Sequence, residues 1–449
     1  MDFFIPENIR FAMSRLHEAG YVAYLVGGCV RDVAMGITPH DYDITTSASP
    51  DKIQEIFADF KQVITGIKHG TVSPIIDHCA VEITTFRIDG EYVDSRHPEQ
   101  VAFCNNLIDD LKRRDFTVNA MAYNEENGFC DFFGGMDDIN NKLIRAVGDP
   151  DKRFTEDALR ILRALRFSAR FGFKIEERTA KSIHENRFLL QNISAERIYS
   201  EFTGILCGKY VYSVLIDFYD VFCVFIPEME QTVGFCQNRP SHCYDVYTHT
   251  AKAVSLSRAD KVLRIALFLH DVAKPQCYQL SNEGVGCFPE HNTKGEEIAR
   301  SVLNRLRSDG KTVKKVCWLI KNHYMQTYAT EQFARELLGK YNYDDIKLLF
   351  EMKYCDIGAM SSSCSKYADD LKILEGYIDD LYKSGECVRL DGLAVNGNDM
   401  RELVGINNGK SIGKLLDFLL SEVVSGYLKN EKEVLMKRAV ELAQIYSLK

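Results

Sequence analysis

Two aspartates, Asp41 and Asp43, stand one residue apart in the stretch AYLVGGCVRDVAMGITPHDYDIT, residues 23–45. Aspartate is a poor strand former, yet on a strand both side chains would point to one face. Two carboxylates side by side repel each other unless a cation lies between them. Because Mg²⁺ binds through one or two carboxylates together with substrate phosphates, the pair is a candidate metal site. The alternative is a solvated polar turn, which is the usual setting of a lone D-x-D.

A glycine pair and an arginine precede the aspartates and suit phosphate binding. Gly27 and Gly28 follow an apolar run, and glycine allows the backbone to approach a phosphate closely. Arg31 offers a forked guanidinium to phosphate oxygens. Together with Asp41 and Asp43, these residues fit metal-assisted phosphoryl or nucleotidyl transfer.

A second set of possible ligands, histidines and aspartates, lies in the middle of the chain. Their order resembles the pattern of the HD phosphohydrolase superfamily: His249, His270, Asp271, His291, His323, Asp356. The resemblance implies one metal ion on His249, His270, Asp271 and Asp356, with His291 and His323 helping to hold a second ion or a phosphate. Such ligands suit Mn²⁺, Fe²⁺, Co²⁺ or Ni²⁺ as well as Mg²⁺. The alternative is a set of ordinary core or surface histidines.

The histidine pattern departs from the superfamily at one position. Glu290 precedes His291, where related domains often have glycine. This departure affects the assignment of His291 to a second metal ion. The activity that the resemblance implies is that of a phosphatase or a 2′,3′-cyclic phosphodiesterase, in which metal-activated water attacks phosphorus.

The composition bounds the class of protein. A chain of 449 residues favours two to four domains, and 46% hydrophobic and 27% charged residues are typical of a soluble globular protein. A net charge of -9 argues against a general polyanion binder but leaves room for a local basic surface. The 14 cysteines contain no C-x-x-C and indicate reduced thiols. The absence of a membrane-length apolar run and of a signal-like start predicts a cytoplasmic protein without a membrane partner.

The elements that would position these residues change in character along the chain. Residues 1–148 alternate helical and extended patterns, with a helix in NIRFAMSRLHEAG and strands in VAYLV and AVEITTF. From about residue 150 helical patterns dominate. The clearest is TEDALRILRALRFSARFGF, predicted as one helix with Thr155 as its N-cap.

These motifs together resemble class II tRNA nucleotidyltransferases and bacterial poly(A) polymerases, within the polymerase-beta-like superfamily. GGCVRD and DYD are followed in order by TGIKHGTV, VEITTFRIDGEYVDSRHPEQVAF, RRDFTVNAMA, DFFGG and EDALRILRALRFSARFGF. The resemblance covers residues 1 to about 205 almost unbroken. It implies an α+β fold, with a polymerase-beta-like palm head followed by an all-helical neck, body and tail.

The resemblance also implies a reaction and its site. A tRNA 3′-hydroxyl would attack the α-phosphate of CTP or ATP, with pyrophosphate leaving and Mg²⁺ held by Asp41 and Asp43. Glu82 would be a third carboxylate, the alternative being an exposed strand residue. Arg114, together with Gly28 and Arg31, would contact the triphosphate.

The neck is expected to choose the nucleotide. Asp157, Arg160, Arg163, Arg166 and Arg170 recur at helical spacing and share one broad face. A carboxylate and an arginine can imitate base pairing through hydrogen bonds. By resemblance, Asp157 and Arg160 would read the base while Arg163 and Arg166 hold phosphates. The alternative is a solvated amphipathic helix.

Three other activities stay open at this point. CC-adding enzymes lack the flexible loop, and RIDGEYVDSRHP (87–98) favours complete C-C-A addition. Poly(A) polymerases keep the same head and are the second reading. The third is an HD phosphohydrolase whose head only binds RNA.

The domain division predicted from these patterns has four parts. They are a nucleotidyltransferase head (1–148), a base-recognition neck (149–205), a helical body with the HD domain (206–365) and a helical tail (366–449). In the tail, GINNGKSIGKLLDFLLSEV (405–423) resembles the family's tRNA-binding tail. A helix N-terminus there could bind phosphate, and an ordinary capped helix is the alternative.

Overall fold

The computed structural model describes residues 3–89, 101–385, 389–402, 405 and 408–446. Within these ranges the chain is mixed α+β up to about residue 150 and almost entirely helical beyond it. The predicted fold class is confirmed. Among the helices described, none combines the length and the apolar character that crossing a membrane requires.

The chain divides into two compact units. The first comprises residues 1–230 and 301–309, and the second residues 231–300 and 310–449. The four-part division predicted from the sequence is finer than this and stays a prediction.

Helices α1 to α11 precede residue 231. They are α1 (Glu7–Glu18), α2 (Gly28–Ala34), α3 (Pro50–Ile56), α4 (Leu107–Lys112), α5 (Gly135–Asn140), α6 (Pro150–Glu156), α7 (Leu159–Phe171), α8 (Glu177–Asn186), α9 (Ala195–Leu206), α10 (Val211–Asp217) and α11 (Tyr219–Phe225).

Helices α12 to α21 follow. They are α12 (Val246–Leu256), α13 (Lys261–Leu269), α14 (His291–Arg305), α15 (Gly310–Asn322), α16 (Glu331–Lys340), α17 (Tyr343–Gly358), α18 (Ser365–Ser384), α19 (Gly397–Glu402), α20 (Gly409–Val424) and α21 (Lys432–Ile445). Short 3-10 helices span Ile67–His69, Thr117–Asn119, Arg187–Asn192, Pro227–Thr232, Lys274–Cys277, Ser362–Cys364 and Leu390–Gly392.

The strands are short and lie mostly in the first unit. They are β1 (Ala23–Val26), β2 (Asp43–Thr46), β3 (Gln62–Val63), β4 (Thr71–Ile76), β5 (Cys79–Ala80), β6 (Ile83–Thr85), β7 (Arg87–Asp89), β8 (Val101–Phe103), β9 (Met121–Asn124), β10 (Gly128–Asp131), β11 (Leu143–Ile144), β12 (Lys174–Ile175), β13 (Gln279–Leu280) and β14 (Gly286–Cys287).

One sheet of the first unit contains the strand that begins at Asp43. Its strand order is β10-β9-β1-β2-β6-β4-β3, with β5 paired to β4. β1 and β2 are antiparallel, whereas β2 and β6 are parallel. All four side chains of β1 are buried, which explains its continuous apolar run. The sheet therefore gives β2 and β6 a fixed register, and the residues at their amino ends lie side by side.

Each unit has its own apolar core among the described residues. In the first unit, Tyr24, Val26, Phe86, Leu111 and Ala122 belong to one cluster beneath the sheet. In the second unit one cluster joins helices α16, α17 and α18, and another joins α19, α20 and α21. These cores fix the elements from which the candidate functional side chains project.

Candidate active site and histidine centre

The glycine turn after β1 brings the backbone against an arginine. Gly27 has φ 74° and ψ -127°, and Gly28 begins α2. A Cβ atom at Gly27 would lie 3.0 Å from Nη1 of Arg114. The positive φ favours glycine, and a side chain at this position would require Arg114 to shift, so the glycine pair forms a constrained turn.

The two aspartates do not share a strand as the sequence suggested. Asp43 is the first residue of β2 and pairs with Val26, whereas Asp41 lies before the strand. The reason is that β1 ends at Val26, where the glycine turn begins, so β2 has no further partner there. Both residues are nevertheless exposed, and they are close enough for the charge of Asp41 to raise the pKa of Asp43.

Glu82 lies beside Asp43. Ile44 pairs with Ile83 in parallel register, and the Ile44 N–H donates to the Glu82 carbonyl at 3.0 Å. Desolvation by the surrounding protein raises the pKa of Glu82, and the charges of Asp43 and Asp41 raise it further. The pKa of Asp43 is raised by the same desolvation and by Asp41, and lowered in part by Arg114.

This donor set fits a divalent cation. Carboxylates placed near one another, such as Asp43 and Glu82 with Asp41 close by, gain from a positive ion between them. Among the described residues, the groups of three ligand atoms within 4.8 Å of one another lie in the second unit. An ion at the sheet edge would therefore depend on substrate phosphates as well as carboxylates, as is usual for Mg²⁺.

A cleft of about 460 Å³ in the first unit gathers most of the predicted residues. It is lined by Gly27, Gly28, Arg31, Asp43, Arg113, Arg114, Asp115, Asn119, Asp157, Leu159, Arg160, Arg163, Arg166, Phe167, Arg170 and Arg197. Asp41 and Glu82 are not part of this lining. We call this space the cleft. It combines the glycine turn, one candidate metal ligand and the neck arginines in one place.

Arg31 is more deeply buried than its predicted phosphate role requires. It donates to Asp32 Oδ1 from Nε at 2.9 Å and to Asn119 Oδ1 from Nη1 at 2.7 Å. Its guanidinium lies 5.3 Å and 4.8 Å from the ring centroids of Phe167 and Phe171. These contacts join α2 to the neck helix α7, and a direct phosphate contact by Arg31 stays a prediction.

Arg114 is oriented by a carboxylate that sequence reasoning missed. Asp110 is fully buried and accepts from Arg113 Nε at 3.0 Å and from Arg114 Nη2 at 3.3 Å. Burial alone would raise the pKa of Asp110, but Arg114 and Arg113 hold it below its usual range. The ion pairs place Arg114 against the glycine turn.

The neck contains two helices where the sequence predicted one. Thr155 is not an N-cap, because it lies inside α6 and its hydroxyl donates to the Asp151 carbonyl at 2.8 Å. Pro150 begins α6 one turn earlier, as proline favours the first helical positions. Asp157 is extended, and its Oδ1 accepts from the Leu159 N–H at 3.1 Å, which caps α7. Asp157 therefore lies at a break and not on a helix face.

The predicted base-reading pair is held by further charged residues. Asp157 Oδ2 accepts from Arg197 Nη2 at 3.1 Å. Arg160 is buried and donates to Glu156 at 2.9 Å and to the carbonyls of Arg153 and Arg113 at 3.2 Å and 3.0 Å. Among described atoms, Arg197 Nη1 is buried without a hydrogen-bond partner. Arg197 lies 40 positions from Asp157, and Arg113 lies 47 from Arg160, so no local pattern marked these two partners.

The two predicted phosphate-binding arginines each have a carboxylate partner. Arg163 donates to Asp115 Oδ2 at 2.9 Å and 2.7 Å, and Arg166 lies 3.1 Å from Glu201. Burial would raise the pKa of Asp115, but Arg163 and hydrogen bonds hold it below its usual range. Burial raises the pKa of Glu201, which Arg166 lowers only in part. The cleft is thus a network of paired charges.

The second unit brings all the predicted histidines together. We call His249, His270, Asp271, His291, His323 and Asp356 the histidine centre. The Nδ1 atoms of the four histidines each face a backbone carbonyl, of Ala359 at 3.3 Å, Leu267 at 2.7 Å, Phe288 at 2.7 Å and Ile320 at 2.6 Å. This bonding directs the Nε2 atoms inward, the arrangement in which histidine binds metals.

The Nε2 atoms converge on the two aspartates. His249 Nε2 lies 2.8 Å from Asp356 Oδ1, and His270 Nε2 lies 3.2 Å from Asp271 Oδ2. His291 and His323 place Nε2 3.8 Å and 3.9 Å from Asp271 Oδ1. Two groups of ligand atoms, each within 4.8 Å, therefore share Asp271: His249–His270–Asp271 and Asp271–His291–His323.

The polar atoms of this centre fit a resident cation. Among described atoms, His270 Nε2 and both Asp271 carboxylate oxygens are buried without a hydrogen bond of normal geometry. Lys274 Nζ lies 2.6 Å from Asp271 Oδ2. Burial would raise the pKa of Asp271, but His270 and Lys274 hold it well below its usual range. Burial lowers the pKa of His323 to about 3, leaving an imidazole that is neutral.

The unusual residue before His291 keeps the backbone of a glycine. Glu290 has φ 58°, in the left-handed region, and its carbonyl accepts from the Lys294 N–H at 3.0 Å. The departure from the superfamily pattern therefore does not displace His291, whose Nε2 lies 3.2 Å from that of His323.

Two predicted features lie partly outside the described residues. Of the loop at 87–98, only the strand Arg87–Asp89 is described. In the tail, residues 406–407 are outside, while α20 begins at Gly409 and the Lys410 N–H donates to the Asn408 side chain at 2.9 Å. This capping satisfies one amide at the end that was predicted to bind phosphate.

Family models match three parts of the chain. They describe a poly A polymerase head domain at residues 23–145, a probable RNA and SrmB-binding site of polymerase A at 172–231, and a putative tRNA nucleotidyltransferase domain 2 at 291–439. The first two models lie in the first unit, and the third begins at residue 291 and lies mostly in the second.

Similar proteins extend over nearly the whole chain. A CCA-adding enzyme of Limosilactobacillus fermentum is 34% identical over 97% of both chains, and one of Ligilactobacillus salivarius is 32% identical over 98% of both. The crystal structure of a Bacillus stearothermophilus CCA-adding enzyme in complex with CTP is 26% identical with a TM-score of 0.71, covering 99% of both chains. A Thermotoga maritima CCA-adding enzyme complexed with tRNA shares the fold at 20% identity, with a TM-score of 0.60, covering 99% of this chain and 97% of that one.

Proposed function

The chain belongs to the family of CCA-adding enzymes, which are nucleotidyltransferases, and from that premise we propose that it completes the 3′ end of tRNA with C, C and A. CTP and ATP would be the nucleotide substrates and pyrophosphate the leaving product. The observation that carries the proposal is the cleft, in which the glycine turn, Asp43 and Arg114 face Asp157 and Arg160.

The carboxylates at the sheet edge would hold Mg²⁺. Asp41, Asp43 and Glu82 supply oxygen ligands there, and the cation would activate the tRNA hydroxyl and neutralise charge on the leaving pyrophosphate. The raised pKa values of Asp43 and Glu82 are consistent with this, since each of these carboxylates would gain from a nearby positive charge.

Backbone amides and arginines would hold the triphosphate. The turn at Gly27 and Gly28 opens α2, and Arg114 lies beside it, held by Asp110. Arg163 and Arg166 already balance two carboxylates, so they offer fixed rather than mobile positive charge. A forked guanidinium suits phosphate oxygens.

Asp157 and Arg160 would choose the base without a nucleic-acid template. A carboxylate accepts from the amino group that cytosine and adenine share, and uracil lacks. Asp157 is immobilised by Leu159 and Arg197, and Arg160 by Glu156 and two carbonyls. Such fixed positions are what selection by hydrogen bonding requires.

The test is incorporation of radiolabelled CTP and ATP into tRNA that lacks its last three nucleotides. Asp41→Ala and Asp43→Ala should abolish incorporation while leaving circular dichroism unchanged. Asp59→Ala removes an exposed carboxylate paired with Arg15 and serves as the control. Normal incorporation by either active-site variant would refute the metal assignment. Addition of long A tails to unstructured RNA would favour a poly(A) polymerase instead.

A second activity, hydrolysis of phosphate esters, is favoured by the histidine centre. The inward Nε2 atoms and the buried Asp271 oxygens, which lack hydrogen bonds of normal geometry, are suited to one or two divalent ions, which would supply an activated water when bound. In a 2′,3′-cyclic phosphate the water oxygen bonds to phosphorus, one bond from phosphorus to ribose oxygen breaks, and that oxygen takes a proton. Asp271→Ala should abolish this hydrolysis and leave nucleotide addition intact. If the wild type hydrolyses no cyclic or monoester phosphate with any divalent metal, the centre is structural.

The remaining predictions are part of the same proposal. The head (1–148), neck (149–205), body (206–365) and tail (366–449) would divide nucleotide transfer, base choice, hydrolysis and tRNA binding among them. The cytoplasm, where tRNA is processed, would be the location.

A further inference from the structure

An exposed aromatic ring lies against the histidine centre. Tyr324 directly follows His323, and 59% of it is exposed. Its ring centroid lies 4.8 Å from that of His291 at an interplanar angle of 73°, and 6.4 Å from that of His323. His291 and His323 themselves are almost completely buried. Tyr324 therefore lies where the buried centre meets solvent.

The position of Tyr324 differs from that of a neighbouring exposed tyrosine. Tyr328 lies four residues further along and is 52% exposed, but its ring packs on Phe333, with centroids 5.4 Å apart. Tyr328 thus has an apolar partner, whereas Tyr324 contacts the histidines of the candidate metal site. A comparison of Tyr324 with Tyr328 therefore distinguishes a ring beside the histidine centre from a ring that is only exposed.

Distance and chemistry connect Tyr324 to a nucleotide. A phosphate held at the centre would lie next to Asp271 and the Nε2 atoms of His291 and His323, which are 3.2 Å apart. In a nucleotide the ribose separates the base from the phosphate. A phosphate bound beside His291 would therefore bring its base near the Tyr324 ring, whose centroid lies 4.8 Å from that of His291. Proteins bind unstacked bases on exposed aromatic rings, and every base has a face that can stack.

We propose that Tyr324 stacks on the base of the nucleotide whose phosphate is hydrolysed at the histidine centre. The centre would then prefer a terminal nucleotide of single-stranded RNA, or a nucleoside 2′,3′-cyclic phosphate, over small phosphate esters that have no base. This inference rests on the second proposed activity and names its substrate class.

Two substrates that differ only in the base-bearing part test the inference. Adenosine 2′,3′-cyclic phosphate and glycerol 1,2-cyclic phosphate share the strained phosphodiester, but only the first has a base. With Mn²⁺ or Ni²⁺ present, Tyr324→Ala should raise KM for the adenosine compound by about 5- to 150-fold, the usual range for losing one base–aromatic stack. The rate with the glycerol compound should not change.

Two control variants separate stacking from a structural role. Tyr324→Phe keeps the ring and should behave as the wild type, and Tyr328→Ala should leave both substrates unaffected. An equal loss with both substrates in Tyr324→Ala would show that the ring only supports the histidines, and it would overturn the inference. Unchanged kinetics with adenosine 2′,3′-cyclic phosphate would overturn it as well. If the wild type hydrolyses neither substrate, the second activity itself fails, and that result is visible before any variant is made.

Discussion

The cleft and the histidine centre differ in how their buried charged groups are paired. In the cleft, Arg163 pairs with Asp115, Arg166 with Glu201, and Asp157 with Arg197. In the histidine centre, His270 Nε2 and both Asp271 oxygens are buried without normal hydrogen bonds among the described atoms. In the cleft the buried atoms left without a hydrogen bond are arginine nitrogens, Arg114 Nε and Arg197 Nη1, which cannot bind a cation. In the centre they are imidazole and carboxylate atoms, which can bind one even though Lys274 lies beside Asp271.

The contrast indicates two kinds of ligand. Because most charged groups of the cleft are paired with each other, the cleft needs no bound ion to be stable. It can then admit a triphosphate that brings its own cation. A buried imidazole nitrogen or carboxylate oxygen without a hydrogen bond costs free energy of folding, and a bound cation removes that cost. We therefore expect the two regions to respond independently to metal and to mutation, and each prediction below tests that independence.

The largest effect is expected from neutralising one carboxylate in each region. Asp43→Asn should lower nucleotide incorporation by on the order of 10²–10³-fold or more, because a metal ligand in the transfer step is lost. Asp271→Asn should leave incorporation within about twofold, since its region does not take part in transfer. Steady-state incorporation of labelled CTP into truncated tRNA measures both. Comparable losses in the two variants would show that the regions are coupled.

Metal binding in the absence of nucleotide should depend on the histidine centre and not on the cleft. In the absence of nucleotide, Mn²⁺ or Ni²⁺ at about 100 times its dissociation constant should stabilise the wild type by about 2.7 kcal/mol, which is several degrees in Tm. Asp43→Asn should keep this shift and Asp271→Asn should lose it. Differential scanning calorimetry with and without metal is the measurement. A shift that survives in Asp271→Asn would place the resident ion elsewhere.

Base selection should depend on a residue that no sequence pattern marked. Arg197→Ala removes the partner of Asp157 Oδ2, and hydrogen bonds to charged groups contribute about 1.5–3 kcal/mol. We expect discrimination of CTP and ATP against UTP and GTP to fall roughly tenfold or more, measured as ratios of kcat/KM. Arg178→Ala, which breaks an exposed pair with Asp149, is the matched control. Unchanged ratios in Arg197→Ala would remove Arg197 from base selection.

The same residue shows why the sequence predicted one part of the site better than another. Gly27, Gly28 and Asp43 are positioned by a strand and a turn that lie next to them in the chain, so local patterns were sufficient. Arg197 reaches Asp157 from another helix, which only the tertiary structure reveals. The break at Asp157 was readable in principle, because Pro150 already signals a helix start before Thr155.

The histidines illustrate a further limit. Their order along the chain was enough to group them, and the structure does bring the four histidines together with Asp271 and Asp356. Their coordination chemistry depends on which ring nitrogen faces inward. That is decided by carbonyls such as those of Leu267 and Phe288, which no sequence motif specifies.

Acid should weaken the cleft through its buried carboxylates. Arg163 and neighbouring donors hold the pKa of Asp115 below its usual range, so its stabilising contribution is complete above the unfolded-state value of about 3.9. That contribution is lost as the pH falls through the lower folded-state pKa. The free energy of unfolding, from urea titrations followed by near-ultraviolet circular dichroism, should therefore begin to fall as the pH drops below about 4, and should go on falling towards the lower folded-state pKa of Asp115. Asp115→Asn should make the free energy of unfolding less dependent on pH in this range, whereas Asp137→Asn, at an exposed position, should not.

The smallest effect concerns the backbone of Glu290, and it tests whether the histidine centre tolerates the departure from glycine. Its φ of 58° costs a non-glycine residue of order 1 kcal/mol, and glycine removes that strain but adds about 0.5–1 kcal/mol of unfolded-chain entropy. Glu290→Gly should therefore change the free energy of unfolding by less than about 1 kcal/mol and keep the metal-induced rise in Tm. Glu290→Ala keeps the strain while removing the side chain, so the difference between the two variants isolates the backbone. Loss of the metal effect in both variants would mean that the exposed Glu290 side chain contributes to the centre, which could then no longer be described by its six candidate ligands alone.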